Sequence, residues 1–297
     1  MIMEKMKANK QTLIIGAAVL DILVKVDNLP RTGEDATGDL QKIAVGGCAY
    51  NVSRVMSALG GGHVLLAPIG KGLYADIIKA DFAKHGIEKT IEEDSGDNGW
   101  DVSFIEKSGE RTFLTIPGIE KQWKASWFDQ IDVEIYDYIY VSGYELEGDS
   151  GPVILEALKK RKPDSRLLFD ASPRVSYIDR ELLDEIMAPG TLIHCNRDEM
   201  NALAPSADSV ENAAETLYAR THNPVVITLG DKGCYFRDSK DKGFVPGNKV
   251  NVADTIGAGD AHCAGLICAL SAGSGTREAA RFANGVAAKV AGKHGGA

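Results

Sequence analysis

The sequence has no CxxC pair, and its five cysteines, Cys48, Cys195, Cys234, Cys263 and Cys268, are odd in number. They read as reduced thiols of a cytoplasmic protein and exclude a disulfide framework. Positive charge is scarce: 33 lysines and arginines stand against 42 acids, for a net charge of −9. No basic cluster with aromatics occurs, which argues against a nucleic-acid partner. A nucleotide substrate stays open, because helix N-termini and Mg2+ hold phosphates in an acidic protein. No apolar run approaches a membrane span, and no signal peptide with a cleavage site is visible. A GxxxxGK[ST] phosphate loop, an internal repeat and a low-complexity linker are all missing. Met1 to Lys10 reads as a polar, frayed start, and Gly295-Gly296-Ala297 as the abrupt end of a truncated chain.

What is present is a regular alternation. Short apolar runs that close on glycine or a polar residue, such as Thr12–Gly16, Val64–Gly70, Tyr138–Gly143, Arg166–Asp170, Leu192–Asn196 and Pro224–Gly230, predict buried strands. Helical patterns over Cys48–Gly60, Tyr74–His85, Val153–Arg161 and Arg277–Val290 separate them. The expected fold is α/β: one doubly wound, mostly parallel sheet flanked by helices, a single domain over residues 11–297. Trp100–Glu106 and Arg111–Ile116 flank a turn at Lys107-Ser108-Gly109-Glu110 and alternate in polarity. They predict a hairpin with one wet face. With a strand over Asp39–Val45 it forms a small antiparallel β lid, about 31–45 and 97–117.

One stretch organises the rest: Asp254-Thr255-Ile256-Gly257-Ala258-Gly259-Asp260, entered by the β-type run Lys249–Val252 and left by a small-residue helix. Glycines at a helix start let successive N–H groups point at one spot. That spot suits an anion, most often phosphate. Asp260 beside it makes sense as a base for a hydroxyl that attacks phosphorus. A glycine turn with an aspartate that complements the helix dipole is the plainer alternative. Gly46-Gly47 sits at a second helix start, with Asn51 in its first turns. Asp21 is a carboxylate in an apolar stretch, which sugar hydroxyls or a structural hydrogen bond would satisfy.

These motifs, in this order, resemble the ribokinase-like (PfkB) family of carbohydrate kinases. The carriers are Gly46-Gly47-Cys48-Ala49-Tyr50-Asn51, Asn196-Arg197-Asp198-Glu199, Thr228–Gly233 and the Asp254–Asp260 stretch. Segments such as Asp97–Trp100, Gly109–Phe113 and Ser142–Leu146 look like an uncharacterised bacterial sugar-kinase branch of it. The resemblance implies that Asp260 is the general base and that the amides of Gly257, Ala258 and Gly259 form the anion hole. It implies that Asp21, Gly46, Gly47 and Asn51, with Glu145 and Arg111, hold the sugar. It places ATP at Asn196, Glu199, Thr228, Gly230, Gly233, Thr255 and Asn284. Mg2+ would be held through water by Glu199, and a monovalent cation, K+, would sit at Asp254. Asp170 and Arg174 resemble a DxNxR element in which Ser172 replaces the asparagine. The expected partners are a sugar-like small molecule, ATP and, through the β lid, a second copy of the chain. A nucleoside kinase for pseudouridine or a purine nucleoside, with Trp100, Phe104 and Phe113 stacking on a base, is the rival enzyme reading. A sugar or nucleotide sensor without catalysis is the non-enzymatic one.

Overall fold

The computed structural model describes residues 10–88, 91–108 and 110–292. Gly109 of the expected hairpin turn, most of the polar start and the last residues lie outside these. In chain order the strands are β1 (Thr12–Ile15), β2 (Val19–Val26), β3 (Gly38–Gly46), β4 (His63–Leu66), β5 (Pro68–Ile69), β6 (Ile91–Glu92), β7 (Trp100–Ile105), β8 (Arg111–Ile116), β9 (Tyr138–Ser142), β10 (Arg166–Asp170), β11 (Thr191–Asn196), β12 (Val225–Thr228), β13 (Cys234–Arg237) and β14 (Lys242–Val245). The helices are α1 (Cys48–Leu59), α2 (Leu73–His85), α3 (Ser150–Leu158), α4 (Arg180–Ile186), α5 (Arg197–Leu203), α6 (Val210–Thr221), α7 (Ala258–Ser271) and α8 (Thr276–Ala291).

The main sheet has eight strands in the order β14-β13-β12-β11-β10-β9-β1-β4. From β4 to β12 every pairing is parallel, and β13 and β14 close one edge antiparallel. Its strands are apolar on both faces because both faces are covered. Leu13 and Ile15 face one core layer with α3, α4, α5 and α6. Ile14 faces the other, with α1, α2, α7 and α8. Each such buried aliphatic side chain contributes roughly 1.5–3 kcal/mol. Glycines stop the helices: Gly60 turns left-handed at φ 77 after α1, and its N–H caps the carbonyls of Met56 and Ser57.

The topology positions the site. The chain runs from β1 outward to β4 on one side and later to β9 on the other. The direction of winding therefore switches at β1, and the carboxyl end of β1 opens a crevice. Gly16, Ala17 and the start of β2 lie there.

Four details depart from the sequence pattern. The expected single strand Val64–Gly70 splits, with β4 in the main sheet and β5 pairing with β6. Pro68 lacks the N–H that would continue the ladder. The run Lys249–Val252 is not a strand. The next two residues, Ala253 and Asp254, instead give their N–H groups to the carbonyl of Ala291 at the end of α8. The small sheet has four strands in the order β3-β2-β7-β8, so β2 joins the expected three. Its outer pairs are antiparallel and its central pair, β2 with β7, is parallel.

Candidate active site

Two glycine-led helix starts meet at the carboxyl end of the main sheet. Gly257 precedes α7 with φ 73, a left-handed conformation that a side chain resists. Gly47 precedes α1 with φ 100, and a Cβ there would lie 2.8 Å from the Ala17 carbonyl. The helices pack together, so Asn51 in the first turn of α1 reaches Asp260 in the first turn of α7. Its Nδ2 donates to Asp260 Oδ2 at 2.8 Å. Cys48 also hydrogen-bonds Asp260. Asp260 is buried, and burial, helped by the charge of Asp170, pushes its carboxyl up to about 6. Asn51 and Cys48 pull the other way. A Cβ added to Gly259 would meet nothing within 4 Å, so the α7 start has open space beside it. Of the three amides expected to make an anion hole, that of Ala258 donates to the Thr255 carbonyl at 3.2 Å.

The other expected acceptor residues cluster here. Asp21 lies in β2, and a Cβ on Gly46 would come within 2.0 Å of Asp21 Oδ2. Glu145 accepts the Ala17 N–H at 3.1 Å, and its Oε1 would lie 2.8 Å from a Cβ on Gly16. Burial raises Glu145 to about 7. Arg111, expected at the acceptor, is already engaged: its Nη1 donates to Asp254 Oδ1 at 2.9 Å. The same Asp254 oxygen accepts the Ile256 N–H, so a guanidinium already faces the carboxylate expected to hold a monovalent cation. Trp100 packs against Tyr74 at 5.7 Å between ring centroids, and Phe113 is exposed.

On the expected nucleotide side, Asn196 and Glu199 form a capping box at the start of α5. Asn196 Oδ1 accepts the N–H groups of Asp198 and Glu199, and Glu199 accepts the Asn196 N–H at 2.8 Å. Burial and then the charge of Asp170 lift Glu199 to about 7. Thr228 Oγ1 donates to the Cys195 carbonyl at 3.4 Å. The Gly230–Gly233 turn is tight, since a Cβ on Gly233 would lie 2.1 Å from the Val245 carbonyl. Asn284 does not present its amide to open space. Its Nδ2 donates to the carbonyls of Val245 and Pro246 at 3.2 and 3.1 Å. Arg174 pairs with Glu147, and Ser172, the residue in place of an asparagine, has the left-handed φ of 61 that asparagine tolerates better.

Sequence reasoning missed a buried polar chain beneath Asp260. With both Asn284 donors used, its Oδ1 accepts from His262 Nε2 at 3.1 Å. His262 Nδ1 then accepts from His194 Nε2 at 3.1 Å. A proton must therefore lie between His194 Nδ1 and Asp170 Oδ1, which are 2.8 Å apart. The two groups hold that proton between them. Burial opposes the charge, but Asp170 outweighs it and raises His194. Burial and the neighbouring His194 hold His262 neutral, down to about 3. Tyr140 completes the chain by donating to Asp170 Oδ2. Asp170, His194 and Cys263 offer ligand atoms within 4.8 Å of one another. His194 Nδ1 lies 2.8 Å from the Asp170 oxygen and 3.1 Å from Cys263 Sγ. These are hydrogen-bond lengths, shorter than the roughly 3.3 Å or more between ligands sharing a tetrahedral ion. Asp101 of β7, in register with Asp21 of β2, was missed as well. Its one available signal was its alternation within the hairpin strand.

Among the described residues no helix is long and apolar enough to cross a membrane. The family model described as pfkB family carbohydrate kinase matches residues 9–297. An uncharacterised sugar kinase of Escherichia coli (strain K12), YegV, is 31% identical over 300 residues, which cover 99% of this chain and 92% of that one. A ribokinase from Thermotoga maritima superposes with a TM-score of 0.83 at 24% identity, over 97% of this chain and 94% of that chain. An adenosine kinase from Sinorhizobium meliloti does so with a TM-score of 0.81 at 21% identity, over 97% and 95%.

Proposed function

The chain belongs to the pfkB family of carbohydrate kinases, and from that premise we propose that it transfers the γ-phosphoryl group of ATP to a hydroxyl of a sugar-like molecule, with Asp260 as general base. The contact that carries this reading is Asn51 on Asp260, made where two glycine-led helices meet at the winding switch. Asn51 and Cys48 hold the carboxylate in one orientation, beside the open space at the start of α7. A carboxyl poised near 6 is ionised at neutral pH yet still basic enough to take a proton as the hydroxyl attacks. The glycine start of α7 would stabilise charge on the transferred group through the Gly257 and Gly259 amides, with the Ala258 amide closing the turn. Asp21, Gly46, Gly47, Asn51 and Glu145 would position the acceptor, which is most of what phosphoryl transfer asks of a protein.

Asn196, Glu199, Thr228, Thr255, Gly230 and Gly233 would bound the nucleotide, and Asn284 would act by holding the Val245–Pro246 backbone. Oxygen donors at Glu199 fit Mg2+, held through water, which would supply charge neutralisation on the phosphates when bound. Arg111 ties the small sheet to the entry of α7, so closing that sheet and ordering the anion hole are linked. Exposed Leu40, Ile43, Phe113, Leu114 and Ile116 on its outer strands are what a second copy would cover. A panel of sugars, sugar acids and nucleosides, scored for ADP release, tests the reading. Release with a sugar supports it. Release with nucleosides alone replaces it with the nucleoside reading, and tight binding without release with a sensor.

A further inference from the structure

Asp254 opens the stretch that ends in Asp260, and it is buried. A buried carboxylate needs a positive partner. The resemblance offers a monovalent cation, but the groups around Asp254 do not fit one. K+ in a protein takes a cage of several carbonyl oxygens. Here Asp254 Oδ1 accepts the Ile256 N–H at 2.9 Å and the Arg111 guanidinium at the same distance. The neighbouring Ala291 carbonyl accepts the N–H groups of both Ala253 and Asp254. The guanidinium already carries the unit charge that K+ would bring. A second cation about 5 Å from it, at an effective dielectric of about 20, would bind on the order of 100-fold more weakly. Arg111 comes from outside the main sheet: it is the first residue of β8 and pairs with Ile105 of β7. Its side chain is 24% exposed and that of Asp254 only 6%, so water screens this pair less than a surface one.

We infer that Arg111 is a tethered cation: it takes the place of a monovalent ion at Asp254, so the chain needs none, and it holds the entry of α7 in its working shape. This rests on the phosphoryl transfer proposed above and makes Arg111 a positioning residue for it. The path from Arg111 to the anion hole is short. Arg111 and the Ile256 N–H fix the Asp254 carboxylate. The Ala258 N–H then closes on the Thr255 carbonyl, around the left-handed Gly257. That turn sets where the Gly257 and Gly259 amides point. Arginine suits the role because it is always charged and its planar fork fixes the carboxylate's orientation. A free ion would come and go with the medium. A guanidinium on β8 arrives only with the small sheet, so docking of that sheet completes the α7 entry.

The test compares potassium chloride with choline chloride at equal ionic strength in the wild type, Arg111→Ala and Arg111→Lys. The readouts are ADP release and the melting temperature without substrates. The wild type should give the same kcat within about twofold, and the same melting temperature within about 1 °C, in both salts. In choline, Arg111→Ala should lose on the order of tenfold in kcat. Potassium should then raise its kcat at least about threefold and its melting temperature by about 2 °C or more, because the ion now binds the folded state. Arg111→Lys keeps the charge without the fork and should hold more activity in choline than Arg111→Ala. A wild type activated more than about fivefold by potassium overturns the inference and leaves the kinase reading standing. So does a folded Arg111→Ala that gains neither rate nor stability from potassium. No ADP release with any acceptor overturns the kinase reading, and the melting temperatures alone then uphold or overturn the substitution at Asp254.

Discussion

Replacing Gly46 by alanine isolates the acceptor side of the site. Gly46 needs no left-handed backbone, so alanine strains nothing locally and the effect comes from the added methyl alone. That methyl would lie 2.0 Å from Asp21 Oδ2, 2.6 Å from its Cγ and 2.8 Å from Oδ1. Asp21 must retreat by roughly 1 Å or more to reach van der Waals distance, and it cannot do so without dragging Asp101, to which it is hydrogen-bonded. Overpacking of this kind costs about 1–3 kcal/mol of stability. A displacement of about 1 Å in a positioning group lowers turnover on the order of 100-fold. The nucleotide side should be left alone, because the three atoms nearest the new methyl all belong to Asp21. Acceptor kcat/KM should therefore fall on the order of 100-fold while ATP affinity by calorimetry stays within about twofold. A Gly46→Ala enzyme with wild-type acceptor kinetics would refute the placement of Asp21 at the acceptor.

Two further outcomes follow from the carboxyl groups. Asp260 is raised by burial and by Asp170, so it stays protonated to a higher pH than a free aspartate, and only its ionised form can act as base. The kcat should fall about tenfold per unit below about pH 6 and level off above it; a flat profile from pH 5 to 7 would count against the assignment. Glu199→Gln keeps an acceptor for the capping box, which tolerates glutamine, so the melting temperature should hold. The Mg2+ concentration for half-maximal rate should rise about tenfold or more; an unchanged Mg2+ dependence would reduce Glu199 to a cap.

The strand and helix alternation was legible because each buried strand is an unbroken apolar run and each ends at glycine or a polar residue. The glycine-led helix starts were legible for the same local reason, since helix start and anion preference arise within a few residues. What the sequence hid depends on register and packing. Asp101 matters because β2 and β7 align it with Asp21, and nothing near Asp101 announces a partner so far back in the chain. His194 reads as one more residue of an apolar strand until α7 brings His262 against it. Arg111 and Asn284 were assigned to ligands on the resemblance alone. Their partners, Asp254 and the Val245–Pro246 carbonyls, become neighbours only in the fold. The break at Pro68 was local and readable, since proline cannot donate to a ladder.

The most direct measurement of the central claim is ADP release by Asp260→Asn at saturating acceptor, with ATP affinity measured on the same preparation. Asparagine keeps the size and the contact with Asn51 but cannot take the hydroxyl proton. Turnover should fall on the order of 100-fold or more with ATP affinity unchanged. Turnover within a few-fold of the wild type would contradict the account.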